Sequence, residues 1–525
     1  MPAQERPVKA HFRLIANFLI LSALFAAAYT QSPLYTSNQN QYFLHGLADA
    51  GYGNLDQDWL ANTLDPTPVF SKLVELTYRY LHRESIYYVY YALLMGIYAA
   101  SLFGIVDILL DLRSSRLKGL TFMAAFIAIH SAGLRFALSH GLGSNWAYVL
   151  EDGVADQRML GSVFQPSVFA VFLALSLLLF LQRKPVLALL AVAVAVTFHP
   201  TYLLSAALLT LAYALAAWVE EKKLVTSIWY GLIALVLVSP TLYYVMTSFG
   251  GTSPEVSARA QEILINLRIP HHTLVSQWLD ATVLVKLVLI AAAIILLYRQ
   301  EHFTHWDGDK RSPAWRLALV LLVTATFAVL LTLLQVVTAS KLLALLFPWR
   351  ISILLVPLAT SLLLGYLVER LIGQASPRRV LSLVSTLIIF LCVLAGGIRF
   401  KLDLERKIAL PERPLENYIY AQHSSGDQYL TPIDLQDFRL AARAPVYIDF
   451  KSIPYRDTDV LEWRRRFRLA DKFYDKGDCD ILAALVQDEH ITQVVLPATL
   501  PVPACSGLEE IYRDKYYVLA HTEMK

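Results

Sequence analysis

An α-helical membrane protein of many spans, with a small C-terminal α/β domain on the outer face, is the fold class that this 525-residue sequence predicts. Three observations lead there. Hydrophobic residues make up 56% of the chain and charged ones 17%, with mean hydropathy +0.48, whereas soluble chains carry about 25% charged residues. Eleven apolar runs are spaced along residues 14–398. Residues 399–525 are polar and alternate strand-like with helix-like segments. The same figures exclude other classes. A net charge of +3 without a basic, aromatic-interleaved patch argues against a nucleic-acid partner, and three cysteines offer neither a disulfide scaffold nor zinc-ligand spacing.

A hydrocarbon core of about 30 Å demands roughly 18 apolar residues, because each backbone polar group must be bonded within the helix. The runs are 14–29, 86–109, 119–134, 166–181, 185–198, 200–219, 224–246, 281–298, 315–336, 351–368 and 380–398, giving about 11 transmembrane helices. The first reads as an anchor, although Ala26-Ala27-Ala28 would also suit a cleavage site. The fifth is short, and with the sixth it can form a bent or re-entrant pair hinged at His199-Pro200. Lys and Arg set the orientation. Arg6, Lys9 and Arg13, then Arg113, Arg116 and Lys118, then Arg183 and Lys184, then Lys222 and Lys223 fall in alternate connections. Arg299, Lys310, Arg311 and Arg316, and finally Arg370, Arg378 and Arg379, continue the pattern. The N-terminus is therefore expected in the cytoplasm. Loops 31–85, 135–165, 247–280 and 337–350 and the tail 399–525 are expected outside, which divides the chain into a membrane domain, 1–398, and an extracytoplasmic domain, 399–525.

Polar chemistry concentrates on that outer side. Loop 31–85 opens with Asn38-Gln39-Asn40-Gln41-Tyr42 and runs through Asp49 to Asp56-Gln57-Asp58-Trp59. It ends in an amphipathic stretch with Val69, Phe70, Leu73, Leu76 and Tyr80 on one side, which reads as an interfacial helix. Carboxylates at i and i+2 of an extended segment point the same way. Asp56 and Asp58 can thus hold a divalent cation such as Mg or Mn, or one can act as general base on an acceptor hydroxyl. A plain solvated acidic loop fits an isolated D-x-D equally. Loop 135–165 gathers Asn145, Trp146, Glu151, Asp152, Asp156, Gln157 and Arg158, and reads as an elbow over the membrane domain.

His199-Pro200 interrupts two apolar runs at a depth where an ionisable group is expensive, either as a satisfied histidine at a helix break or as a cavity-lining group; Asp152 is a second cavity-lining candidate. Arg268-Ile269-Pro270-His271-His272 joins a permanent cation, a rigid turn and two imidazoles, which suits a phosphate or, in the plainer reading, a surface loop. Lys341 and Arg350 can snorkel to headgroups or hold the anionic group of a bound lipid.

In the tail, candidate strands are 428–431, 446–449, 493–496 and 516–520, with helices over 460–474 and 479–489. Asp434, Phe438, Arg439, Asp449, Phe450, Lys451, Tyr455, Trp463 and Arg464 recur near strand ends, where they can form a sugar- or headgroup-facing surface; Asp449 and Lys451 are its substrate-binding candidates. Cys392 reads as a small apolar residue inside the last span. Cys479 and Cys505 share the outward tail, where an oxidising compartment allows them to pair or to remain thiols.

With this layout, the segments Asn38–Tyr42, Asp58-Trp59, His199-Pro200, Arg268–His272 and Asp449–Tyr455 make the chain resemble the C-type superfamily of membrane glycosyltransferases (GT-C), and within it a group of bacterial membrane proteins. The resemblance covers the whole chain in layout through short motifs. It implies a bacterial inner-membrane enzyme that transfers a sugar from a polyprenyl-phosphate donor to a lipid, glycan or protein acceptor, inverting the anomeric carbon. Asp58 or Asp56 would be the first-loop acid, as base or metal ligand, with Asp49 in reserve. Arg268, His271, His272, Lys341 and Arg350 would hold the donor phosphate. One departure stands out: where many members have acids soon after the first span, this chain has Asn38, Gln39, Asn40 and Gln41. Two other classes compete. A transporter or lipid-translocation protein would show repeated halves with matching helix breaks, and His199-Pro200 has no counterpart. A non-catalytic glycolipid-binding protein would keep the phosphate site without the base.

Overall fold

Residues 7–303, 312–373, 378–499, 503 and 505–522 are described by a computed structural model of the chain. Arg6, Lys310 and Arg311, counted above among the orienting charges, lie outside the described residues. All eleven apolar runs are helical. Among the described residues, eight helices are long and apolar enough to cross a membrane: Phe12–Tyr29, Ile86–Leu110, Pro200–Glu221, Leu224–Ser248, Ala281–Gln300, Pro313–Thr338, Lys341–Ile372 and Arg378–Ile408. A ninth crossing is the pair Arg116–Ile129 and Ala132–Leu142, bent by 47°. The break falls at His130-Ser131, and Ser131 caps the second helix by accepting from Leu134 N at 3.1 Å. The last two runs, Pro166–Leu181 and Pro185–Phe198, are shorter. At about 1.5 Å per residue neither reaches across roughly 30 Å of hydrocarbon. Against the eleven runs expected to cross, eight helices among the described residues, or nine with the bent pair, are thus long and apolar enough to do so, and the protein is an integral membrane protein.

The chain divides into two compact units. Unit 1 comprises Met1–Gln31, Tyr87–Tyr243 and Ile265–Lys401; unit 2 comprises Ser32–Ile86, Tyr244–Leu264 and Leu402–Lys525. The tail is thus one part of a unit to which the first long loop and part of another also belong.

In unit 1 two helices approach within backbone contact at Gly396. A Cβ there would lie 1.9 Å from the Ala27 carbonyl oxygen, whereas one at Gly397 would meet nothing within 4 Å. The Thr30 hydroxyl donates to the Gly396 carbonyl at 3.0 Å across the same crossing.

Unit 2 carries a four-stranded sheet ordered β1 (Tyr429–Leu430), β2 (Gln493–Pro497), β4 (Tyr517–Thr522), β3 (Leu508–Arg513). β1 runs parallel to β2, and β4 is antiparallel to both neighbours. Helices Asp457–Lys476 and Cys479–Glu489 lie where expected, the second capped by Asp478. The segment expected as a strand at 446–449 makes only one bridge, Val446 to Tyr429. β3 was not foreseen, because Leu508-Glu-Glu-Ile-Tyr-Arg513 is an edge strand whose mostly exposed side chains leave no apolar alternation. Cys479 and Cys505 are joined by a disulfide.

The amphipathic stretch of the first loop is the helix Pro68–Leu81. Phe70, Val74 and Thr77 are buried, while Val69, Leu76 and Tyr80 are exposed. Gly46 explains the choice: its Cα lies so close to Ser71 that a Cβ would meet the Ser71 carbonyl at 2.3 Å, which turns the 70/74/77 stripe toward the neighbouring Leu44–Asp49 helix.

Gly396→Val is expected to destabilise the membrane unit by about 1–3 kcal/mol through overpacking, while Gly397→Val is neutral. Thermal unfolding of the detergent-solubilised protein separates the two.

Candidate functional site

The first-loop acids do not form a pair. Asp56 lies in a 3-10 turn, Leu55–Gln57, and is exposed. Asp58 is fully buried. Because the segment is not extended, the i, i+2 argument for a shared face fails. Every acceptor position of Asp58 is also taken. Oδ1 accepts from Leu60 N at 2.9 Å and Ala61 N at 3.4 Å; Oδ2 accepts from Arg439 Nε at 2.6 Å and Val446 N at 2.8 Å. Arg439, 2% exposed, also donates to Asp449, whose second oxygen accepts from Ser452 N at 2.6 Å. Burial alone would push the guanidinium pKa down, and the two carboxylates more than reverse it. Asp58 and Asp449 therefore clamp the fold of unit 2. Each of their four oxygens already accepts a hydrogen bond, and Asp49 is exposed at a helix end. The pair Asp56 and Asp58 does not fit a divalent cation, and among the described residues no three His, Cys, Asp or Glu groups gather as metal ligands would.

The amides that stand where acids were anticipated are structural too. Gln39 Oε1 accepts from Tyr35 N at 2.8 Å, the Asn40 amide donates to Asp437, and the Gln41 amide donates to Ile453 O and Tyr455 Oη, each at 3.1 Å. Phe438 and Trp463 are buried, the Trp463 indole donating to Asp449 O at 3.2 Å. Of the nine residues expected to form a polar, aromatic surface, Phe438, Arg439, Asp449 and Trp463 are thus part of the interior. Lys451 is half-buried in the turn after Asp449.

Unit 1 brings two of the basic candidates, His272 and Arg350, onto loop 147–165. Three side chains hold its tip by backbone and amide oxygens. Lys286 Nζ donates to Gly153 O at 2.7 Å, His272 Nδ1 to Ala155 O at 2.7 Å, and Arg350 Nε to Gln157 Oε1 at 2.8 Å. Val154 N donates to Ser352 Oγ at 2.9 Å, and Gly153 is needed there because a Cβ would lie 2.5 Å from that hydroxyl. Between the anchors, Ala155 and Asp156 both adopt left-handed backbone, φ 58° and 52°. Two such non-glycine residues cost of order 1–3 kcal/mol each and persist only where the surroundings enforce them. The result is one exposed carboxylate, Asp156, on a rigid tip.

The cations around this tip act on one another. Burial, then the His271 ring, then Arg350 and Arg268 hold His272 down at about 3, against a smaller opposing effect of the Ala155 carbonyl. The ring is therefore neutral, with its proton on Nδ1 and a lone pair on Nε2. An anion beside Arg350 and Arg268 would remove part of that penalty. The Arg350 charge also bears on His199 and Tyr202, and its guanidinium lies 5.3 Å from the Tyr202 ring. His199 ends the Pro185–Phe198 helix in extended backbone, buried, with its ring edge-on to Tyr202. Arg268 closes a π-helical turn, Leu264–Arg268. Lys341 opens the short helix Lys341–Leu346, half-buried.

Beneath the tip lie two buried carboxyls. Asp152 pairs with Arg158 at 2.6 Å, and that guanidinium stacks 3.9 Å from the Tyr148 ring. Glu151 pairs with Arg135 at 3.3 Å and lies 3.8 Å from His130 Nε2. Its Oε2 makes no hydrogen bond among the described residues. Burial pushes both carboxyls above the ordinary range, outweighing the arginines. The structure thus gathers Arg268, His271, His272, Arg350, His199 and Asp152 about one loop. Asp156 was passed over as a site residue, and its only sequence signal was membership of a polar loop.

Comparisons with known proteins add little. Residues 411–470 match the model of a family described as a domain of unknown function (DUF6798). No curated protein matches the chain. Among solved structures the chain is similar to the crystal structure of ArnT from Cupriavidus metallidurans in the apo state, with 12% identity, a TM-score of 0.39 and 98% of each chain covered. A likeness at that score bears on neither site nor reaction.

Removing Arg439 strands two buried carboxylates, so Arg439→Met is expected to destabilise unit 2 by about 3–5 kcal/mol, read as faster proteolysis of the tail in the full chain. Glu151 has a folded pKa above its ordinary value, so the stability it contributes is full at low pH and is lost as pH rises through the folded pKa. Thermal unfolding should therefore show stability falling from the ordinary carboxylate range into mildly alkaline pH, and Glu151→Gln should flatten that decline.

Proposed function

We propose that the protein transfers a glycosyl group from a polyprenyl-phosphate donor to a hydroxyl acceptor at the outer face of a bacterial inner membrane, as a glycosyltransferase of the GT-C type. The observation that carries this reading is the pinned tip of loop 147–165, which sets an exposed carboxylate, Asp156, on the loop that Arg350 and His272 hold. Arg350 and Arg268 suit a phosphate, since a guanidinium offers two parallel donors to its oxygens. Asp156 takes the part first assigned to Asp58. The acceptor oxygen bonds to the anomeric carbon as the bond from that carbon to the phosphate oxygen breaks. The acceptor proton passes to Asp156, and the electron pair leaves with the polyprenyl phosphate, whose growing charge the arginines stabilise. A single displacement inverts the anomeric centre. The cluster of basic loops on the opposite connections supports the outward orientation.

Purified protein supplied with polyprenyl-phosphate sugars, and with membrane extract as acceptor source, is expected to release polyprenyl phosphate. Asp156→Asn should lower turnover by about 10²-fold or more with donor affinity retained, while Arg350→Ala should weaken donor binding. No release from any donor offered, or full activity in Asp156→Asn, would sink the reading.

A further inference from the structure

A second cavity in unit 1 has no part in that chemistry. It occupies about 440 Å³ and is lined by Phe180, Arg183, Glu220, Glu221, Tyr230 and Arg316, among others. That volume lies within the roughly 300–1,000 Å³ of small-ligand sites. It sits where the Val171–Leu181 helix ends, the Leu203–Glu221 helix ends and the Leu224–Ser248 helix begins.

Three features define what fits. The first is charge. Arg316 donates through Nε to Glu220 at 2.6 Å and through its terminal nitrogen to the other oxygen, and Arg183 pairs with the same carboxylate. Arg316 and Glu220 are each 7% exposed, while Arg183 is 43% exposed. Two guanidiniums thus share the Glu220 carboxylate, and Arg183 is the one open to solvent. Glu221, exposed and accepting from Thr226 Oγ1 at 2.8 Å, adds one negative charge beside it. The second feature is depth. Trp218 and Trp229, on the two helices that flank the cavity, are exposed, as indoles are at a membrane–water interface. The third is the wall. No residue of the Leu224–Ser248 helix is fully buried, so the helix that closes one side turns much of its surface away from the fold. Ser227 Oγ, donating to Ala214 O at 2.7 Å, fastens its first turns.

We infer that this cavity is a site for the headgroup of a zwitterionic glycerophospholipid bearing a primary amine, a phosphoethanolamine, which wedges between the Leu224–Ser248 helix and the rest of unit 1. The phosphate lies against Arg183 with the Tyr230 hydroxyl donating to it, and the ammonium lies against Glu221. A primary ammonium offers Glu221 three N–H donors, as a lysine does. A quaternary choline offers none, and a glycerol headgroup leaves a net anion facing Glu221.

Native mass spectrometry of the full chain, released from vesicles of equal dioleoyl phosphatidylethanolamine, phosphatidylcholine and phosphatidylglycerol, tests this. Phosphatidylethanolamine should be retained about tenfold over either competitor, a preference of about 1.4 kcal/mol. Arg183→Ala and Glu221→Gln should each abolish the preference. Arg316 still pairs Glu220 in the first variant, and Tyr230→Phe, which removes one hydroxyl, should lower retention about threefold even if the others fold poorly. Equal retention of the three lipids, preference for phosphatidylglycerol, or unchanged selectivity in all the variants would overturn the inference.

Discussion

Unit 2 depends on one guanidinium. Arg439 has no exposure to water worth the name and carries a charge that burial alone would expel, and it stays because Asp58 and Asp449 flank it. Such a triad is weak evidence for stability as such, since an apolar substitute could serve as well, but breaking it from one side is severe. Its effect here is specificity of assembly. Asp58 belongs to the first long loop, and Arg439 and Asp449 belong to the tail. The charge requirement therefore makes two distant stretches of sequence into one body. The Asn40, Gln41 and Lys407 bonds to the tail and the loop add neutral and charged links in the same direction.

Unit 1 uses buried charge differently. There the arginines and carboxyls do not close on each other completely. Glu151 keeps an oxygen without a hydrogen bond among the described residues, and the tip of its loop is held in left-handed backbone by bonds to its carbonyls rather than by packing alone. Strain enforced by three separate anchors is the arrangement expected where a polar group must be presented rather than buried.

How much of this was legible in the sequence follows from which physical signal each feature leaves. Apolar runs are long and redundant, so all eleven helices could be located, and the Cys479–Glu489 helix was bounded to the residue. The depth of a run is harder to read than its polarity, and Pro166–Leu181 and Pro185–Phe198 are as apolar as their neighbours yet too short to cross. The basic candidates Arg268, His272 and Arg350 were visible because cations are costly beside hydrocarbon and therefore conspicuous. The burial of Asp58 was not legible, because an isolated Asp-x-Asp looks the same whether its carboxylates face solvent or a buried arginine 381 residues away. The stripe of Pro68–Leu81 that packs on the fold was not legible for a similar reason. A helix with apolar residues on two sides is oriented by what packs on it, here Gly46, and periodicity does not contain that partner.

The distance between Asp58 and Arg439 also sets a clock. At about 5–20 residues per second of synthesis, the sequence separation of 381 takes roughly 20–75 s to traverse. Throughout that interval the first loop has been made while the arginine that completes it has not. Its acid must wait hydrated, and the Phe70 and Val74 face must avoid other partners. The triad of unit 2 thus cannot close before Arg439 has been made.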